Sequence, residues 1–143
     1  MGKIFENEDF INSNVNHIKL TINLLKERNE FFSIAVNREG VSFDPPLPEE
    51  IMSSFGPFTI FALHNYTFDS VNMIDDKIQF EAGFGSENVG SVLTLPLCAI
   101  LQIIVDDMII LSNPTASFPA NFVSSNTVSK NAFKLNPNNK KFF

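Results

Sequence analysis

Apolar and polar positions alternate most clearly in residues 78–84, where Ile78, Phe80, Ala82 and Phe84 fall on one side of an extended chain and Gln79, Glu81 and Gly83 on the other. A period of two marks a strand with one buried face. Residues 85–90 form a glycine loop that returns the chain to a second strand at 92–95, which Pro96 ends. A short turn at 97–99 then leads to an apolar strand at 100–105, and Asp106-Asp107 reverses the chain into 108–111. Within this hairpin small Ala82 leaves a depression between Phe80 and Phe84, and Gly83 lets another backbone approach the opposite face.

Upstream the period changes. Val15, Ile18, Ile22 and Leu25 recur at helical spacing, predicting an amphipathic helix over 14–28 with its cap at Ser13 or Asn14. Its apolar face either covers one side of a sheet or makes a dimer contact. Residues 31–36 and 40–43 read as two strands of a hairpin, with Asn37 or Gly40 supplying positive φ at the turn. Pro45, Pro46, Pro48 and Pro57 make 44–57 a connector with at most a helical turn at 49–54. Residues 58–64 are an apolar strand, 67–73 a second extended segment, and Asp75-Asp76 a turn. Short strands at close spacing after one helix predict a mostly β domain with an N-terminal α-helix, folded as a small bent sheet or partly open barrel.

A chain of 143 residues with 44% hydrophobic residues and 16 Phe is long and apolar enough for one packed core. Residues 1–111 hold all 16 acids and 6 of the 10 basic residues, a balance of −10, while 112–143 hold four Lys and no acid, a balance of +4. The expected organisation is therefore a folded domain over 1–111 and a flexible, basic, Asn/Ser-rich tail over 112–143. The acidic body disfavours nucleic-acid backbones, which need clustered Lys and Arg. Lone Cys98 in an apolar run reads as a buried thiol of a reducing compartment. Glu6, Glu8 and Asp9 stand where an export signal would need apolar residues, so the expected location is cytoplasmic. The longest apolar run, 93–105, is shorter than the ~20 residues of a membrane helix.

Catalytic signatures are missing from the sequence. Asp75-Asp76 and Asp106-Asp107 are adjacent turn acids whose side chains diverge, and His17 and His64 do not form a pair with metal-ligand spacing. No nucleophile elbow, phosphate loop or zinc motif occurs. The residues predict binding rather than catalysis, with no cofactor and no metal.

The run FTIFALHNYTFDSVNMIDDKIQFEAGFG, the later LTLPLCAILQIIV and the preceding EGVSF with its prolines resemble the stringent starvation protein B (SspB) family, adaptors of the ClpXP protease. The likeness covers about residues 31–111, in the order helix, hairpin, Pro-rich link and sheet. It implies an SspB-like fold related to Sm-like barrels, dimerisation through the N-terminal helix, and a groove that captures the ssrA tag of stalled translation products. By position the groove residues are His64, Tyr66, Ala82, Phe84, Gly85 and Ser86, with Phe80 as floor; the dimer contact is Val15, Ile18, Ile22 and Leu25. The tail would dock on the ClpX unfoldase through Lys134, Leu135, Lys140, Lys141, Phe142 and Phe143. Three features depart from the family: family members often carry a basic or larger polar residue near Gly83, the loop 87–90 is longer, and the tail has no acid. The alternative function is a Sm-like interaction or structural oligomerisation module without a protease.

Overall fold

A computed structural model describes residues 3–124. After a 3-10 turn at Lys3–Glu6, helix α1 runs Glu8–Glu27, starting six residues before the expected boundary. Asn7 is the cap, its side chain accepting the Phe10 N–H at 3.0 Å, and Glu8 and Asp9 in the first turn suit the positive end of the helix dipole. Ser13 and Asn14, the expected caps, instead donate from their side chains to the Phe10 carbonyl inside the helix. The apolar stripe extends back to Ile11, and Ile11, Val15, Ile18, Ile22 and Leu25 are all buried. Each fully buried aliphatic side chain contributes about 2 kcal/mol of hydrophobic stabilisation. These residues lie in the chain's own core, so the expected dimer contact through Val15, Ile18, Ile22 and Leu25 is corrected to the covering role.

Strand β1 (Phe32–Asn37) is followed by β2 (Ser42–Asp44), but the two are not paired. Arg38–Gly40 form a 3-10 turn instead of a hairpin loop. Asn37 keeps φ at −80° and accepts the Glu39 N–H at 3.1 Å, while its side chain donates to the Ala116 carbonyl at 3.0 Å. Gly40 shows no positive φ; it is a site of close approach, where a Cβ would stand 2.8 Å from that of Ala99. The chain therefore leaves one sheet at Asn37 and enters another at Ser42.

The proline connector contains α2 (Glu49–Met52) and leads to β3 (Phe58–Leu63). The expected extended segment at 67–73 is largely helical: α3 spans Asn65–Asp69, and only β4 (Asn72–Ile74) is strand. Asn65 adopts φ 54°, and the helical turn drives Phe68 into the core against Phe31 and Phe32. Lys26 secures it from α1, donating from Nζ to the Phe68 carbonyl at 2.5 Å.

Strands β5 (Lys77–Phe84) and β6 (Val89–Pro96) form the long hairpin. A buried 3-10 turn at Leu97–Ala99 leads to β7 (Ile100–Val105), and Asp106 and Asp107, both at positive φ, turn the chain into β8 (Met108–Ser112). The expected single bent sheet or partly open barrel is two antiparallel four-stranded sheets, β3-β1-β7-β8 and β2-β6-β5-β4, neither closed into a barrel. Their inner faces and α1 enclose one core, with Ile34, Phe80, Leu93, Leu95 and Ile103 buried at its centre.

The domain also extends past the expected boundary at 111. That position lies inside β8, and Asn113, Thr115 and Ala116 are fully buried. A 3-10 turn at Pro114–Ser117 and a short helix α4 (Asn121–Ser124) follow. Asn121 donates from its side chain to the carbonyls of Phe5 and Thr115, each at 3.1 Å, and Phe118 stacks on Phe5. The segment thus joins the two ends of the described chain. Lys134, Leu135, Lys140, Lys141, Phe142 and Phe143 lie outside the described residues.

Candidate functional site

The β5–β6 register pairs Glu81 with Val92 and Gly83 with Gly90, placing these four on the outer face of the second sheet. The core-facing side carries Ile78, Phe80, Leu93 and Leu95. Strand β4 pairs with β5 only from Lys77 to Gln79. Beyond that point the Glu81 main-chain N–H donates to Ser70 Oγ at 2.9 Å. The alternation of an antiparallel ladder then turns the main-chain groups of Gly83 toward the same side, which no strand among the described residues covers.

Beside this edge is a concavity of about 490 Å³. Tyr66 and Thr67 of α3 form one wall, Glu81, Ala82 and Gly83 the floor along β5, Val92 and Ser91 of β6 the centre, and Asp44 and Pro45 the far wall. The Tyr66 hydroxyl donates to Glu81 Oε1 at 2.5 Å. That hydrogen bond, and the repulsion a phenolate would feel from Glu81, hold the Tyr66 hydroxyl above the ordinary phenol pKa. Ser91 Oγ donates to the Pro45 carbonyl at 2.9 Å, tying the far wall to the sheet. Among the described residues no His, Cys, Lys or Arg lines the concavity. What the lining offers is main-chain groups, one phenol, hydroxyls and two carboxylates, a set suited to recognition.

The expected groove residues divide. Tyr66 and Ala82 line the concavity. Phe80 is buried beneath the sheet, packed edge-on against Phe61, and Phe84 belongs to an aromatic cluster with Phe43, Phe55 and Phe61. Gly85, at φ 76°, makes the turn and abuts Ile51, while Ser86 is exposed in that turn. Neither Gly85 nor Ser86 lines the concavity. His64 lies in a separate hollow of about 480 Å³ with Glu30, Asp106 and Asp107, its ring stacked on Phe31. The open face of Gly83 is taken by the Asn88 carboxamide, onto which a Cβ at Gly83 would fall.

Sequence reasoning missed Asp44, Asn88 and Val92. Val92 was legible as the cross-strand neighbour of Glu81 in a hairpin of known loop length. Asp44 was not, because only the long-range pairing of β2 with β6 brings it there.

Among the described residues no group of three or more His, Cys, Asp or Glu is placed to hold a metal ion, and no helix is long and apolar enough to cross a membrane. No protein-family model matches the chain, and no curated protein matches it.

Proposed function

We propose that the chain is a non-enzymatic adaptor of the SspB type, which binds ssrA-type degradation tags at the open edge of β5 and delivers tagged proteins to ClpXP through its C-terminal tail. The observation that carries this reading is the β5 edge at Gly83, which lies past the Glu81–Ser70 hydrogen bond and which no strand among the described residues pairs, beside a concavity with mixed polar and apolar lining. An extended peptide laid there gains main-chain hydrogen bonds while alternate side chains enter the concavity. Linking that contact to a tethered docking contact raises the effective concentration of substrate at the unfoldase. The SspB-like relation to Sm folds and the cytoplasmic location belong to the same reading.

Fluorescence anisotropy with an ssrA-type peptide from the same organism tests it. Saturable binding below about 100 μM, about 5.5 kcal/mol, is expected; its absence removes the adaptor function. Deleting residues 130–143 should leave peptide binding intact and abolish accelerated degradation of tagged substrate.

The outer face of the first sheet favours a second reading, a self-associating interaction module. Phe58, Ile60 and Ile109 are each about half exposed or more there, with Ile60 at 62%. A dimer in solution that Ile60→Lys dissociates, together with absence of tag binding, would select it.

A further inference from the structure

The outer face of the second sheet carries one row with a distinct charge pattern. Asp44 pairs with Val92 and Val92 pairs with Glu81, so the three side chains stand side by side across β2, β6 and β5. With strands about 4.8 Å apart, the two acidic positions are about 10 Å from each other, with an aliphatic side chain between them. All three line the concavity. Among the described residues the ion pair formed is Lys19–Asp76, so neither Asp44 nor Glu81 is neutralised by a side-chain cation. Glu81, which lines the concavity, accepts the Tyr66 hydroxyl at Oε1, which leaves its second carboxylate oxygen as an acceptor.

We propose that this row selects a cationic side chain: the peptide bound at the β5 edge places a Lys or Arg with its aliphatic stem on Val92 and its charged head against Glu81 and Asp44. This rests on the peptide-groove reading and names the class of peptide that the groove takes. The stem finds apolar surface while the head stays at the solvent boundary, which is how long basic side chains are best accommodated. An Asp or Glu at the same position meets two like charges and no cation of the described residues. The concavity therefore discriminates by repulsion as well as by attraction.

The test immobilises the full-length chain, passes over it a random dodecapeptide library, and sequences what is retained, in parallel with the Asp44→Asn/Glu81→Gln double variant. Both acids are at exposed or half-exposed positions, and circular dichroism checks that the variant is folded. The expected result is one position enriched in Lys and Arg over Asp and Glu by about tenfold at low salt, with the bias lost in the double variant. Retained peptides without a basic bias, or a bias that survives in the double variant, overturn the charge selection while leaving the groove standing. If nothing is retained by the wild-type chain, the groove reading itself fails and the selection falls with it.

Discussion

The hydroxyl of Tyr66 donates a 2.5 Å hydrogen bond to Oε1 of Glu81, linking α3 to β5 across the mouth of the concavity. Ionising the phenol removes the donor and sets a negative charge beside the carboxylate, so the folded protein holds this proton more tightly than the unfolded chain does. The interaction is therefore fully present below the ordinary phenol pKa of about 10 and is lost as pH rises through the higher folded value. Tyr66 is the one tyrosine of a chain without tryptophan, so the phenolate absorbance reports this residue alone. Its titration midpoint should lie above that of free tyrosine and return toward it in Glu81→Gln. An unchanged midpoint in that variant would show that the hydrogen bond does not form in solution.

Ile22 is fully buried in the core while Leu24, two residues on, is 51% exposed. Truncation to alanine should separate them by mechanism. Ile22→Ala leaves a cavity and should lower unfolding free energy by about 2–4 kcal/mol, whereas Leu24→Ala should change it by less than about 0.5 kcal/mol. Urea denaturation of both variants measures the difference. Equal effects would place the apolar stripe of α1 away from the core.

Ala82 shares the core-facing side of β5 with Phe80 and packs against the core. Replacing it with Gln should overpack that layer and destabilise the fold by about 1–3 kcal/mol. Val92→Gln acts from the outer face; it should keep stability within about 1 kcal/mol of wild type and weaken peptide binding. Unchanged peptide binding in a folded Val92→Gln variant would instead put the groove elsewhere on the hairpin.

Asn113 is fully buried and uses both ends of its side chain. Nδ2 donates to the Ile100 carbonyl at 2.9 Å, and Oδ1 accepts from Thr115 N and Thr115 Oγ1 at 3.2 and 2.6 Å. Asn113→Ala strands these partners away from water and should cost about 3 kcal/mol of stability. Asn113→Asp should also destabilise, because a carboxylate cannot donate to the Ile100 carbonyl. Thermal and urea unfolding of the two variants check this, and a neutral Asn113→Ala would mean that the segment after β8 contributes little to the fold.

Much of the local structure was legible in the residues because its causes are local. The spacing of Val15, Ile18, Ile22 and Leu25 specifies a helix with one buried face. The alternation from Ile78 to Phe84 specifies a strand whose Ile78 and Phe80 are buried, and Asp106-Asp107 accepts the positive φ values that a tight hairpin turn requires. Errors at this level came from competing local signals. Ser13 and Asn14 look like caps, yet Asn7, preceding Glu8 and Asp9, captures the role. The apolar and polar residues around Phe68 read equally well as extended, but burying that ring against Phe31 and Phe32 selects a helical turn.

By itself, then, the sequence determined one packed domain with an N-terminal helix, short antiparallel strands and an acidic body, since composition and periodicity depend only on neighbours along the chain. Tertiary structure decided that β1 and β2 belong to different sheets, that Asn113–Asn121 pack onto the body, and which face of the β5–β6 hairpin is open. Those outcomes depend on pairings between residues far apart in sequence: Asp44 with Val92, Asn37 with Ala116, Asn121 with Phe5. Strand pairing and burial are satisfied across the whole core at once, so no local window contains the information that places Asp44 opposite Val92.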